Sequence, residues 1–382
     1  MEPLNGQLKK IFEKMSRPEK ILERLKAQDN HRALVNVENH GADILVEGRR
    51  YKNFSSNDYL GLAGNLSLQK AFFAQLPECE FLLSNPSSRL LTGNSAHYHQ
   101  LESTLSSLFG GRSALVVGSG YLANTGILPA VTGKNDFILA DKLVHASLID
   151  GLKLCEAEWK RFRHNDMSHL EALLSEAVGY DNLWVVTESL FSMDGDFAPM
   201  RALAKLREHY GFKLYVDEAH AFGVYGKGLG YAHEMGVEPD IVLATLGKAL
   251  ASCGAFVLSD EATRELLINR MRTLIFSTAL APINLLWSNF LLGRLAEFEP
   301  QRQALLGLVA LMGANSQIVP LMAGENARAL EMASALREGG FWVHAIRSPT
   351  VPAGKARVRL SLSAGLTQED ILKFKEAWNF IG

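Results

Sequence analysis

Two short, continuously apolar runs near the middle of the chain predict neighbouring buried strands. Leu214–Val216 and Ile241–Ala244 are rich in β-branched residues and do not alternate polar with apolar positions. This pattern is typical of strands buried on both faces of a parallel sheet. Each run is followed by reactive side chains, namely Asp217 and His220 after the first and Thr245 and Lys248 after the second. Because ligands bind beyond the carboxyl ends of strands in open α/β sheets, these side chains are expected to meet in one crevice.

The alternation of apolar runs with helical segments extends over much of the chain. Further strands are predicted at Ala114–Gly118, Phe137–Asp141, Leu183–Thr187, Gly254–Leu258 and Thr273–Thr278. Helices are predicted between most of these runs, which favours an α/β fold with a mostly parallel central sheet. The strand after Lys248 is the one expected to run antiparallel.

The C-terminal part of the chain has a different pattern. Helices at Pro282–Phe298 and Asn326–Glu338 frame strands at Gln317–Leu321, Trp342–Ile346 and Ala356–Leu362. Such an arrangement predicts a smaller α+β domain. The expected division is an N-terminal helix and arm at 1–45, with the helix over 7–28, a large domain at 46–280 and a small domain at 281–382.

Composition excludes several classes of function. The 382 residues carry 39 basic and 41 acidic side chains, and this balance does not favour binding to nucleic acid or to an anionic membrane surface. The segment 273–293 lacks charge but contains Ser277, Asn284 and other polar residues, so it predicts buried elements rather than a membrane span. Three widely spaced cysteines favour reduced thiols in a cytosolic protein, with Cys253 as a small buried residue.

The predicted crevice contains the groups that pyridoxal phosphate requires. The Lys248 amine can form an imine with the cofactor aldehyde, Asp217 can keep the pyridine nitrogen protonated, and Thr245 can hold phosphate. The turn at Gly118–Gly120 opens a helix whose N-terminus provides a second phosphate site. A dinucleotide fingerprint fits less well, because Ala123 stands where its third glycine would be.

Other interpretations of the same residues remain open. Lys248 alone could be a surface charge, and Asp217–His220 could form a helix cap or a metal site. His97 and His99 point to different faces of a helix and make a poor metal pair, and no metal is predicted. His145 after its strand could lie over a planar ring or cap a helix, and Asn57 could simply turn the backbone.

Two arginines in the C-terminal domain share one strand face. Arg357 and Arg359 are two residues apart and therefore project the same way, opposite Val358 and Leu360. They could form an ordinary solvated face. Alternatively, one of them could enter the crevice and bind a carboxylate through its planar guanidinium group.

Eight sequence strings, in order along almost the whole chain, resemble the α-oxoamine synthases. They are FSSNDYLGL, SGYLANTGIL, HASLIDG, TESLFSMDGD, VDEAHAFG, TLGKAL, FSTALAP and RSPTVPAGKARVRLSL. The resemblance implies the fold-type-I architecture of pyridoxal-phosphate enzymes, similar to aspartate aminotransferase, and a homodimer with its active site at the subunit interface.

The resemblance also implies a role for individual residues. Lys248 would carry the cofactor and move the substrate α-proton, Asp217 would pair with the ring nitrogen, His220 would bind the ring oxygen, and His145 would stack on the ring. The other implied cofactor contacts are Gly120, Tyr121, Ser192 and Thr245, with Ser277 and Thr278 reaching the phosphate of the neighbouring subunit. The implied substrate contacts are Asn57 and Arg359 at the amino-acid carboxylate, and Thr350 and Arg32 at the acyl group.

The implied reaction is the decarboxylative condensation of L-alanine with a pimeloyl thioester in biotin biosynthesis. The thiol carrier could be coenzyme A or acyl carrier protein. A related synthase that uses glycine and another thioester is the principal alternative. A plain aminotransferase, an inactive partner subunit and a nicotinamide-dependent oxidoreductase are further alternatives, and the presence of Lys248 argues against the inactive subunit.

Overall fold

The structure is a computed structural model that describes residues 15–381. The predicted helix over 7–28 begins outside this range, and its described part forms α1 at Arg17–Ala27. The remaining helices, in chain order, are α2 (Leu66–Gln75), α3 (Ala96–Leu108), α4 (Gly120–Val131), α5 (Ala146–Leu154), α6 (Met167–Glu176), α7 (Met200–Tyr210), α8 (Tyr231–Glu234), α9 (Glu261–Arg270), α10 (Arg272–Ile275), α11 (Pro282–Leu292), α12 (Glu299–Met312), α13 (Asn326–Glu338) and α14 (Gln368–Asn379). None of these helices is long and apolar enough to cross a membrane.

The strands form three sheets. In chain order they are β1 (Glu38–His40), β2 (Asp43–Val46), β3 (Arg49–Asn53), β4 (Ser113–Val117), β5 (Phe137–Asp141), β6 (Glu158–Phe162), β7 (Leu183–Glu188), β8 (Lys213–Asp217), β9 (Ile241–Thr245), β10 (Ala255–Ser259), β11 (Ile318–Gly324), β12 (Phe341–Trp342), β13 (His344–Ile346) and β14 (Ala356–Ser361). The central sheet has the order β4-β10-β9-β8-β7-β5-β6. Only β10 runs antiparallel to its neighbours, as the sequence predicts.

The central sheet is buried on both faces, which explains its continuous apolar runs. Successive residues of β4 alternate between two cores: Leu115 and Val117 pack in one, and Ala114 and Val116 in the other. The strands β7, β8 and β9 at the middle of the sheet are almost entirely buried. Their polar last residues are therefore held in fixed positions at one edge of a rigid support.

The C-terminal residues form a second, antiparallel sheet with the order β11-β14-β13. The remaining sheet, β1-β2-β3-β12, joins the two ends of the chain, because β3 pairs in parallel with β12. Strands from the N-terminal and C-terminal parts of the chain therefore share one sheet. The division at residues 45 and 280 stays a prediction.

Two sequence predictions about local structure are wrong. The predicted strand at Thr273–Thr278 is the short helix α10 followed by a single bridge between Thr278 and Ser88. The segment carries no charge, but only part of it is buried. Leu274 is buried, whereas Phe276 is 71% exposed. Cys253, predicted to be buried, is exposed, and all three cysteines are unpaired.

Candidate active site

Three adjacent parallel strands end in polar residues at one edge of the central sheet. Glu188 ends β7, Asp217 ends β8 and Thr245 ends β9, and Glu188 lies directly opposite Asp217 in the strand register. A cleft of about 390 Å³ opens beyond them. Its lining residues include Gly118, Ser119, Gly120, Tyr121, Asn124, His145, Ser147, Glu188, Asp217, His220, Thr245 and Lys248. The structure thus brings together the side chains that the strand pattern predicts to meet.

Lys248 lies in the turn after β9, and its amine faces His220. The distance from Lys248 Nζ to His220 Nε2 is 3.1 Å. Burial lowers the pKa of Lys248, and the neighbouring Asp217 and Glu188 carboxyl groups act in the opposite direction. A lowered pKa increases the fraction of neutral amine, which is the form able to attack a carbonyl.

A chain of hydrogen bonds connects Lys248 to Arg359. His220 Nδ1 lies 2.6 Å from the Tyr59 hydroxyl, which donates to Asn57 Oδ1 at 3.2 Å. The same Asn57 oxygen accepts from Arg359 Nη2 at 3.2 Å. Because Tyr59 donates to Asn57, it accepts from Nδ1–H of His220, and Nε2 is left as an acceptor facing Lys248.

The environment of His220 keeps this tautomer neutral. Burial, followed by the positive charges of Lys248 and Arg359, lowers the pKa of His220 well below its usual range. An uncharged ring can accept one proton at Nε2 while Tyr59 fixes its orientation through Nδ1. Tyr59 therefore fixes the orientation of His220 through Nδ1, and Nε2 faces the cleft.

Asp217 is held as an acceptor at the base of the cleft. Its Oδ2 accepts from Asn124 Nδ2 at 2.7 Å, and its Oδ1 accepts from the backbone N–H of Ala219 at 2.9 Å. Tyr215 fixes the orientation of the Asn124 amide by donating to Asn124 Oδ1 at 2.6 Å. This arrangement presents a fixed carboxylate to a ring nitrogen without further rotation of the side chain.

Backbone groups at the N-terminus of α4 form the opposite end of the cleft. Ser119 caps α4, and its Oγ accepts from the backbone N–H of Leu122. A Cβ at Gly120 would lie 2.6 Å from Thr245 Cγ2, so this approach requires glycine. The Thr245 hydroxyl donates weakly to Ala219 O at 3.3 Å, a long bond that a phosphate oxygen could replace as the acceptor. Helix α4 thus directs free N–H groups toward the cleft.

His145 has one of the two functions that the sequence left open, the helix cap, and it also lines the cleft. It caps α5, because its Nδ1 accepts from the backbone N–H of Ser147 at 3.3 Å and lies 2.7 Å from the Ser147 hydroxyl. It also lines the cleft, where burial lowers its pKa. Beside it, the half-exposed Tyr121 donates to Asp150 at 2.6 Å.

Some of the predicted site residues do not line the cleft. The backbone oxygen of Ser192 accepts from Arg359 Nε at 2.6 Å, and neither of these two side chains is among the lining residues. Asn57, which accepts from Arg359, also lies outside the lining. The same is true of Ser277, Thr278 and the hydrogen-bonded pair Arg32 and Thr350. The roles predicted for the site residues, inside and outside the cleft, stay predictions.

Sequence reasoning did not identify Tyr59, Asn124, Ser147 or Glu188 as site residues. Glu188 ends a buried strand just as Asp217 does, so the pattern that revealed Asp217 could have revealed it. Tyr59 lies 161 residues from His220, and no local pattern predicts their contact. Among residues 15–381, no group of three or more His, Cys, Asp or Glu side chains is arranged to hold a metal ion.

Comparisons with known proteins agree with this geometry. The family model described as aminotransferase class I and II matches residues 49–377. An 8-amino-7-oxononanoate synthase of Chlorobaculum parvum is 47% identical over 370 residues, which are 91% of this chain and 94% of that protein. The chain belongs to the α-oxoamine synthase family. It is a pyridoxal-phosphate-dependent acyltransferase of this family, with a fold-type-I architecture.

Solved structures of family members have the same fold. A serine palmitoyltransferase variant from S. paucimobilis, bound to a pyridoxal-phosphate–myriocin aldimine, has a TM-score of 0.87 and 26% identity, covering 97% of this chain and 99% of that one. An 8-amino-7-oxononanoate synthase from Francisella tularensis has a TM-score of 0.73 and 28% identity, covering 87% and 96%. The likeness extends over both the central sheet and the C-terminal sheet.

The residues of the cleft fit pyridoxal phosphate. Gly120 lets the N-terminus of α4 approach Thr245 closely at the edge of the cleft, and the Asp217 carboxylate and the Lys248 amine are both present in the same cleft. When bound, the cofactor would supply an electron-poor ring able to stabilise negative charge at the substrate α-carbon. The cleft thus contains a carboxylate and an amine able to interact with such a ring.

Proposed function

We propose that this chain condenses L-alanine with a pimeloyl thioester to give 8-amino-7-oxononanoate, carbon dioxide and the free thiol. The 47% identity to the Chlorobaculum parvum 8-amino-7-oxononanoate synthase, over nearly the full length of both chains, carries the proposal. The cleft supports it, because a continuous chain of hydrogen bonds runs from the amine of Lys248 to a cation suited to a carboxylate. Its members, in order, are Lys248, His220, Tyr59, Asn57 and Arg359.

Each residue of this chain has a distinct task in the proposed reaction. Arg359 and Asn57 bind the amino-acid carboxylate and orient the bond that breaks at the α-carbon. Lys248, 3.1 Å from His220 Nε2, removes the α-proton and later returns a proton to the same carbon. Asp217 keeps a negative charge at the base of the cleft, where it favours protonation of the ring nitrogen.

The acyl half of the reaction requires a site for the thioester chain. Arg32 and Thr350 are proposed to contact it from the arm and the C-terminal domain, since their mutual hydrogen bond connects these two segments. The free carboxylate at the far end of a pimeloyl chain is a suitable partner for the Arg32 guanidinium.

A second copy of the chain is proposed to complete the site. The segment that carries Ser277 and Thr278 is bridged to Ser88, next to a group of exposed apolar side chains. These side chains are Leu83, Leu90, Leu91 and Phe276, which are 77%, 49%, 78% and 71% exposed. Covering them in a homodimer would bury apolar area and would bring Ser277 and Thr278 toward the partner's phosphate.

The substrate assignment is tested with the purified holoenzyme. L-Alanine, glycine and L-serine are added separately while the cofactor absorbance is followed, and pimeloyl-CoA is then added while thiol and carbon dioxide are measured. We expect L-alanine to perturb the spectrum and thiol to be released only with the pimeloyl thioester. Release with glycine and another thioester would instead assign a related synthase of the same family.

Arg359→Lys is expected to raise KM for the amino acid about 10- to 100-fold, because lysine cannot bind a carboxylate through two parallel hydrogen bonds. Steady-state kinetics on L-alanine provide the measurement, and kcat should fall less than KM rises.

Arg357→Lys is the matched control. Arg357 lies on the same face of β14 and is also buried, but it binds Met193 O and Asp194 instead of Asn57. A similar rise in KM for both variants would show that displacement of the loop, rather than loss of carboxylate binding, explains the effect.

A further inference from the structure

Glu188 is a buried carboxyl group of the cleft to which the proposed reaction gives no task. It is 2% exposed, ends β7, and lies opposite Asp217 in the parallel register, so both side chains project from the same face of the sheet. Neighbouring strands in a sheet are about 4.8 Å apart. The structure therefore places two carboxyl groups side by side at the base of the cleft.

The two carboxyl groups have different surroundings. Asp217 accepts hydrogen bonds from Asn124 and Ala219, whereas Oε1 of Glu188 has no hydrogen-bond partner among the described residues. Burial and the charge of Asp217 raise the pKa of Glu188 well above its usual range. Lys248 and the backbone N–H groups of His145 and Ser192 act in the opposite direction with smaller effects. When two carboxyl groups share a buried site, the one with fewer donors keeps the proton.

We propose that Glu188 is held as the neutral member of a carboxyl pair with Asp217 at the cofactor site. A neutral acid leaves a single negative charge, that of Asp217, available to the ring nitrogen of a bound cofactor. This inference depends on the cofactor that the family uses and does not depend on the identity of the substrate.

The loop that follows Glu188 carries a contact for Arg359. Loop 189–197 follows β7 directly, and its Ser192 carbonyl accepts from Arg359 Nε at 2.6 Å. The loop is anchored elsewhere by Ser189, whose hydroxyl donates to Glu218 at 2.6 Å, and by the Arg357–Asp194 ion pair at 2.7 Å. A shift at Glu188 would therefore be transmitted through this loop to the proposed carboxylate site.

Glu188→Gln tests the neutral state, because glutamine is uncharged and nearly isosteric. The holoenzyme is titrated with base in the absence of substrate, and the pH midpoint of its cofactor absorbance is compared with that of the native protein. We expect the midpoint to move by less than about 0.3 pH units. If Glu188 were ionised, its replacement by glutamine would remove a negative charge near Lys248, whereas the side chains of His145 and Asp217 would be the same in both proteins. The midpoint would then fall by about one unit or more, and the proposal would be overturned.

The same variant is also tested for amino-acid binding. Because glutamine keeps the neutral state and nearly the shape of the acid, we expect the spectroscopic Kd of Glu188→Gln for the amino acid to stay within about twofold of native. A Kd about tenfold weaker would contradict the proposal, since only the loss of a needed charge distinguishes the two side chains. No step of the titration requires L-alanine to be the true substrate.

Discussion

Lys248→Ala is expected to lower the rate of condensation by at least about 10³-fold, because the variant loses both the covalent attachment of the cofactor and the group that moves the α-proton. Lys248 is the lysine that lines the cleft within residues 15–381, and its amine is fixed 3.1 Å from His220 Nε2. Added amines of small size are expected to restore only part of the rate, since they lack this fixed position. Thiol release under saturating substrates provides the measurement.

The same variant should lose the absorbance of the lysine–cofactor linkage while it still binds the cofactor through the phosphate cradle and Asp217. Lys142→Ala is a suitable control, because Lys142 also follows a buried strand, β5, but is exposed to solvent. Its spectrum and rate should match those of the native protein. An unchanged linkage absorbance in Lys248→Ala would assign the attachment to another amine.

The cleft could be predicted where chemistry follows directly from a buried strand. The strands β8 and β9 are continuously apolar, and their last residues and following turns carry Asp217, His220, Thr245 and Lys248. Because parallel strands end at one edge, a local pattern was enough to place these side chains together. Glu188 satisfies the same physical rule, because it is the polar last residue of the buried strand β7.

Elements at the edges of the fold were harder to predict. The strand β6 has the sequence EWKRF and lies at the edge of the central sheet, where only Phe162 is fully buried. Its hydrogen bonds to β5 form without an apolar run, so hydrophobic patterning does not reveal it. The segment before Ser277 shows the opposite effect. Its charge-free run predicts a buried strand, but the segment belongs to a short helix whose apolar residues are partly exposed.

Contacts between distant segments were beyond local patterns. Tyr59 follows a turn near the N-terminus and orients His220, and Arg359 reaches Asn57 across 302 residues. The resemblance to the family predicted that Asn57 and Arg359 act on one group. The structure adds that Tyr59 connects them to Lys248 through His220, which no single motif contains.

Asp217→Asn is expected to reduce kcat by about 10²- to 10³-fold with a smaller effect on cofactor binding. The native carboxylate accepts from two donors, Asn124 Nδ2 and Ala219 N–H. An asparagine oxygen can accept from only one of them, and its NH₂ group would face the other donor. More importantly, a neutral amide does not favour protonation of the ring nitrogen, and the ring then withdraws fewer electrons from the α-carbon.

The loss is measured most directly as exchange of the L-alanine α-hydrogen with deuterated water, which NMR follows without the thioester. The native holoenzyme should exchange this hydrogen, and Asp217→Asn should exchange it about 10²-fold more slowly while its linkage absorbance persists. Asp141→Asn is the matched control, because Asp141 is a fully buried aspartate at the end of β5 that pairs with His164 outside the cleft. It should unfold more easily and exchange at a near-native rate. Native-like exchange in Asp217→Asn would remove Asp217 from the chemistry, since its charge would then have no effect on the proton that leaves the α-carbon.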